Sequence, residues 1–259
     1  MKSKNEKTHL DLFSGIGGFA LAAKWNGYRT VGFCDNEPYA QAVLKKHWPE
    51  VPCHKDIREV RGELYAGITL LTGGFPCQPF SDVGRKRGQA DDRYLWPEMF
   101  RVICEARPTW VLGENVAGIK NMALDQALSD LEGKDYEVQS FIIPACAVDA
   151  PHRRDRVWIC AMDVAESKSL RIGRRSCQGG ERWEGLVQKE QEGREMGCEA
   201  EGCCSSIGEW SEESESSICR ILDGVSNRVD RCHALGNALV PQVASEIIRC
   251  INQVMEDNK

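Results

Sequence analysis

Cys77 stands between Pro76 and Pro79 in the run GGFPCQPFS at residues 73–81, directly after the apolar stretch at residues 68–71. A packing cysteine needs no such punctuation. The two prolines fix the backbone on either side of the thiol, and Gly73 and Gly74 permit the turn that presents it. A thiol held in this way can attack an electrophilic carbon when nearby positive charge or backbone donors favour the thiolate. Two further runs carry complementary chemistry. WVLGENVAG at residues 110–118 ends an apolar strand in Glu114-Asn115, where a carboxyl group can serve as an acid or hydrogen-bond a ring nitrogen. APHRRDRVWICA at residues 150–161 sets Arg154 and Arg156 two apart. On an extended segment they face the same side, ready for a carbonyl oxygen or a phosphate. As an alternative, each is an ordinary surface ion-pair residue.

A nucleotide-like group has its own candidate seat. HLDLFSGIGGFALA at residues 9–22 reads as strand, glycine turn and helix. Gly15, Gly17 and Gly18 let the backbone bend sharply and come close to a ligand, although a plain tight turn uses the same residues. Asp35 ends the next strand about twenty residues on, the spacing that suits ribose hydroxyls. The glycine spacing departs from the dinucleotide fingerprint, which favours a different adenosyl cofactor. Asp56 sits where a third strand ends and suits an adenine amino group. It is equally suited to cap the turn beginning at Ile57, and both roles are compatible.

The elements that position these groups alternate. Residues 10–13, 30–34, 69–71, 110–112, 139–143 and 157–161 read as strands; residues 19–26, 38–47, 97–106 and 124–131 have helical spacing. Such alternation predicts an α/β fold with a mostly parallel sheet and helices on both faces, and ligands at the carboxyl ends of the strands. Residues 165–218 are rich in Glu, Gly, Ser and Arg and poor in periodic apolar positions, which predicts a small irregular insert or partial disorder. Residues 241–255 read as an amphipathic helix.

The 259 residues suffice for one large domain with an appendage. The 13 cysteines are odd in number, scattered, and preceded by a polar start, so free thiols in a reducing cytoplasm are expected. Cys34, Cys104, Cys146 and Cys160 are read as small buried residues. No run reaches the ~18–20 apolar residues of a membrane helix. The net charge of −6 argues weakly against nucleic acid. However, residues 184–215 hold ten acidic residues against Lys189 and Arg194, a balance of −8, which leaves the rest of the chain at +2. Arg85, Lys86 and Arg87 are part of that basic remainder. Cys177, Cys198, Cys203, Cys204 and Cys219 lack paired CxxC spacing, so no metal is expected.

Taken in order, the blocks DLFSGIGGFALA, GGFPCQPFS, DDRYLWPEMFRVI, ENVAG, APHRRDRVWICA and ALGNALVPQVA strongly resemble the DNA (cytosine-5)-methyltransferase family, in its short phage and prophage form. The resemblance covers roughly residues 9–163 and 221–248. It implies a Rossmann-like S-adenosylmethionine-dependent fold and methylation of double-stranded DNA at a flipped cytosine. It assigns Cys77 as nucleophile, Glu114 to cytosine N3 and the amino group, and Arg154 and Arg156 to the ring oxygen side. Phe13, Gly15, Gly17, Asp35, Asn36, Asp56, Ile57 and Asn237 would hold the cofactor, with Asn36 replacing the tryptophan found in many relatives. Gln78 and Ser81, with Arg171, Arg174 and Arg175, would touch DNA. Residues 1–164 would form the catalytic and cofactor-binding domain, 165–220 an abbreviated target-recognition insert, and 221–259 a segment returning to the catalytic domain. The insert's basic front would face the duplex and its acidic stretch would point away. A monomer is expected, and a cognate restriction endonuclease in the same system, with no direct contact between the two, fits the resemblance.

Rival readings differ at specific residues. An RNA-modifying relative would carry a Cys-Phe-Thr run, which is absent. A non-catalytic descendant would have lost Cys77 or Glu114. A nicotinamide oxidoreductase fits neither the Phe-Ser-Gly turn nor the Glu-Asn-Val block.

Overall fold

The computed structural model describes residues 6–76, 94–119, 121–150, 152–164 and 238–257. Seven strands form one sheet in the order β3-β2-β1-β4-β5-β7-β6. They are β1 (Thr8–Leu12), β2 (Arg29–Cys34), β3 (Cys53–His54), β4 (Leu70–Gly73), β5 (Trp110–Val116), β6 (Tyr136–Pro144) and β7 (Asp155–Asp163). The five strands from β3 to β5 run parallel, and β7 lies antiparallel between β5 and β6. The mostly parallel α/β sheet expected from the alternating pattern is therefore present, with an antiparallel β7 that the pattern did not reveal.

Helices cover both faces. α1 (Gly18–Trp25) and α5 (Pro241–Asp257) pack on one side, where Phe19, Ala22, Val243, Ala244, Ile248 and Ile251 meet Leu70, Leu112 and Trp158. α3 (Trp96–Ala106) and α4 (Asn121–Glu132) cover the other, where Met99, Val102, Ile103 and Ala127 meet Leu10, Leu71, Val111 and Ile159. α3 buries Trp96, Met99, Val102, Ile103 and Ala106, spaced three and four apart as an apolar stripe requires. α2 (Pro38–His47) starts on a proline that suits a first-turn position and ends in Lys45, Lys46 and His47, which complement its dipole.

β1 departs from its local sequence. His9 and Asp11 alternate with Leu10 and Leu12, a pattern suited to a strand with one wet face, yet all four are fully buried. Neighbouring strands supply the partners. Thr72 donates to Asp11 Oδ1 at 2.7 Å and so accepts from His9 Nε2 at 2.8 Å. That fixes His9 as the Nε2–H tautomer, whose Nδ1 accepts from Thr30 at 3.0 Å.

The turn after β1 is held by Ser14, whose hydroxyl donates to the Asp11 carbonyl at 2.7 Å while its amide donates to the Cys34 carbonyl at 3.0 Å. Gly17 has φ +88°, and a Cβ there would lie 2.8 Å from the Trp48 ring. Its smallness therefore serves packing against α2's end. The six cysteines among the described residues are unbridged. Cys34 is buried as expected, whereas Cys146 is exposed because it falls in the short turn after β6. No helix among the described residues is long and apolar enough to cross a membrane. Gly17→Ala is expected to lose ~2 kcal/mol, from left-handed strain plus the clash with Trp48. Urea denaturation measures this, and an unchanged midpoint would refute the tight turn.

Candidate active site

Two groups of side chains gather at the carboxyl ends of the parallel strands. The strand order reverses between β1 and β4, which is where open α/β sheets form their ligand crevice. A cleft of about 480 Å³ opens there. Its lining includes Phe13, Asp35, Asn36, Asp56 and Ile57, five of the eight residues expected to hold a cofactor, together with Pro76. Lys55, Arg58 and Leu95 also line it. The sequence reading omitted them, though Lys55 and Arg58 immediately flank the Asp56-Ile57 pair it singled out.

Asp35 ties two loops together. Its carboxylate accepts from the Gly15 amide at 2.7 Å and from the Glu37 amide at 2.9 Å. Burial pushes its pKa up, while those two amides, next in size, pull it down. Asp56 caps the turn at Ile57–Glu59, accepting from the Arg58 amide at 2.9 Å, as the first of its two expected roles requires, and it also lines the cleft. Gly15 reaches the group through its amide, and Gly17 packs on Trp48. Nothing lies within 4 Å of a Cβ built on Gly15. That open space, with two carboxylates at the rim and Phe13 and Ile57 as apolar walls, fits an adenosyl group in size and donor set.

The second group centres on Glu114. Arg156 Nε lies 2.7 Å from Glu114 Oε1, with both side chains mostly buried at 19% and 13% exposure. The antiparallel course of β7 explains the encounter. Glu114 is in register with Trp158, and Arg156 lies two residues away on the same face, a diagonal neighbour. Burial raises the Glu114 pKa, while Arg156 and then Arg154 oppose the shift. Arg154 also converges on Glu114, but strand alternation is not the reason. It precedes β7, has φ +40°, and its guanidinium donates to the Ala238 carbonyl at 2.7 Å. The expected shared face is thus reached by a left-handed turn and an anchor from the segment entering α5.

Glu114 also abuts the exit of β4. A Cβ on Gly74 would stand 3.3 Å from Glu114 Oε2, and Asn115 Nδ2 donates to the Phe75 carbonyl at 2.9 Å. The chain leading towards Cys77 is thereby fastened to the end of β5. Cys77, Gln78 and Ser81 lie outside the described residues, as do Asn237, Arg171, Arg174, Arg175, the basic run at residues 85–87 and the insert's five cysteines.

Comparison with known proteins bears on the family and the fold. The family model for C-5 cytosine-specific DNA methylase matches residues 8–193, and the chain belongs to that family. Among curated relatives, the type II methyltransferase M.DsaV of Dactylococcopsis salina is 31% identical over 172 residues, covering 64% of this chain and 49% of its own length. M.AplI of Arthrospira platensis is 33% identical over 170 residues, covering 63% and 49%. The chain thus spans about half the length of these relatives. Among solved structures, a putative DNA modification methyltransferase encoded within an E. coli prophage superposes with a TM-score of 0.54 at 25% identity, over 62% of this chain and 47% of that one.

Arg156 favours the ionised form of Glu114, so its removal must raise the carboxyl pKa further and keep the acid protonated to higher pH. Arg156→Gln should accordingly move the Glu114 carboxyl NMR titration upward. A downward or absent shift would disprove the coupling.

Proposed function

We propose that the chain is an S-adenosylmethionine-dependent DNA (cytosine-5)-methyltransferase of the type II modification kind, working on a cytosine flipped out of the duplex. The observation that carries the proposal is the mostly buried Glu114–Arg156 pair against the β4 exit, three residues before Cys77. Phe13, Asp35, Asp56 and Ile57 would hold S-adenosylmethionine, which would supply an electrophilic methyl group and be left as the neutral thioether. With both carboxylate oxygens accepting from amides, Asp35 is preorganised to take hydrogen bonds from a ribose diol on its remaining lone pairs. Asn36 at the rim offers an amide where many relatives place an aromatic ring.

The chain's own chemistry follows from cytosine's reluctance to react at C5. The Cys77 thiolate forms a bond to C6, and the C5–C6 π pair moves into the ring with Glu114 supporting protonation at N3. The enamine-like C5 then takes the methyl group. Loss of the C5 proton to a base restores the double bond as the C6–sulfur bond breaks, returning the thiolate. A cysteine suits both halves because thiolates add and leave readily. A raised Glu114 pKa suits the acid role, since it keeps more of the carboxyl protonated near neutrality. Arg154 and Arg156 hold the carboxyl in place and present positive charge to the oxygen side of the ring. Residues 165–220 would supply sequence recognition, and the setting would be the cytoplasm.

Cys77→Ala should abolish transfer of labelled methyl groups to DNA while preserving S-adenosylmethionine binding. Asp35→Ala should do the reverse, weakening cofactor binding by ~1.5–3 kcal/mol through loss of a charged acceptor. Methylation of DNA by the Cys77 variant, or transfer by the wild type to RNA alone, would overturn the proposal.

A further inference from the structure

Asp56 and Ile57 face the cleft from a short turn, Ile57–Glu59, in a stretch with little regular structure of its own. The next turn, Gly62–Tyr65, is equally short. Turns of three and four residues do not hold their own geometry in water. Something outside must hold them, and α3 supplies it. Arg101 donates from Nη2 to the Ile57 carbonyl at 2.9 Å and from Nη1 to the Val60 carbonyl at 3.0 Å. The Ile57 carbonyl, at the first residue of the turn, also accepts from the Val60 amide at 3.2 Å, and the Val60 carbonyl belongs to the C-cap, so Arg101 ties both ends of the turn to α3. Glu105, paired to Arg101 Nη1 at 2.8 Å, accepts from the Gly62 amide at 2.7 Å. The backbone at Gly62 is pressed against α3 so closely that a Cβ there would fall 2.7 Å from the Val102 carbonyl. A second fastening lies at the start of the stretch, where Tyr65 Oη and His54 Nε2 are 2.8 Å apart.

We propose that Arg101, with Glu105, is a positioning residue for the adenosine end of the cofactor cleft. Its planar fork spans two carbonyls and a carboxylate together, which fixes the backbone that aims Asp56 and Ile57. Arg101 touches no ligand itself. Its partner Glu98, a third exposed, is bound to Nε at 2.9 Å rather than to the two N–H groups that grip the turns. The inference rests on the cofactor reading above and extends it to a part of α3 outside the cleft.

Calorimetry with adenosine and with S-adenosylmethionine tests it on the full chain. Arg101→Met should weaken both ligands roughly tenfold, the equivalent of one charge-assisted hydrogen bond lost from the positioning network. In methyl transfer the change should appear in the cofactor KM, with kcat retained at saturation, whereas general destabilisation would lower the active fraction and hence kcat. Arg101→Lys should fall between, because an ammonium cannot bridge the carbonyls and carboxylate in one plane. That variant decides the matter if Arg101→Met does not fold. Glu98→Gln should bind like wild type. Wild-type binding matched by Arg101→Met and Arg101→Lys would overturn the clamp alone. Failure of the wild type to bind either ligand would overturn the cofactor reading and the clamp with it.

Discussion

The ion pair between Glu114 and Arg156 is the contact on which the arrangement of the site turns. It exists because β7 runs against its neighbours, so the start of β7 lies beside the end of β5. In an all-parallel sheet the arginines at the start of β7 would emerge at the opposite rim from Glu114. Pairs this buried add little net stability, because desolvation offsets attraction, but losing one partner leaves a costly unpaired charge. The pair therefore acts chiefly to specify register. Arg154, anchored on the Ala238 carbonyl, extends the same restraint to the segment entering α5. There Leu239 closes on Gly18, where a Cβ would come within 3.0 Å of it. These three contacts together link the end of β5, the start of β7, α1 and the approach to α5.

The four residues 73–76 join the two halves of the site. Gly73 ends β4, Gly74 abuts the Glu114 carboxyl, Phe75 gives its carbonyl to Asn115, and Pro76 forms part of the cleft wall. Phe75 is also buried in the core beside Trp96, with ring centroids 5.0 Å apart. The proposed nucleophile, Cys77, follows a backbone fixed by a hydrogen bond, a packed ring and a proline. Proximity effects of the size needed for group transfer demand that kind of restraint.

Much of this was legible because local pattern and global fold agree. α2 occupies residues 38–47 as its spacing predicts, and the other helices begin or end within a few residues of expectation. Asp35 and Asp56 were found from spacing because both follow strand ends, and strand ends set the cleft. Other features depended on partners far along the chain. Thr30 and Thr72, 21 and 63 residues from His9, supply hydrogen bonds to both ring nitrogens of the buried His9 and to Oδ1 of the buried Asp11. Gly17 is small for the sake of Trp48, and Arg101 grips carbonyls more than 40 residues upstream. The positive φ of Arg154 has no signature in a run that otherwise reads as extended.

Beneath the loops that line the cleft the sheet keeps polar groups but suppresses charge. Burial lowers the pKa of His9 to about 3, so its imidazole is neutral at working pH. Burial likewise raises that of Asp11, the Thr72 hydrogen bond opposing and the nearby charge of Asp35 adding to the shift. The two act on stability in opposite senses. A depressed histidine pKa gives stability that is present above the unfolded value and lost as pH falls towards the folded one; a raised carboxyl pKa gives stability present at low pH and lost as pH rises through it. Between these limits the hydrogen-bonded line from Thr30 through His9 and Thr72 to Asp11 carries no imidazolium. The ionic groups stand instead at the strand ends, Asp35 and Asp56 on one side and Glu114 with its arginines on the other. Charges fixed at such a rim act strongly, because a low-dielectric floor without competing charge strengthens every interaction above it.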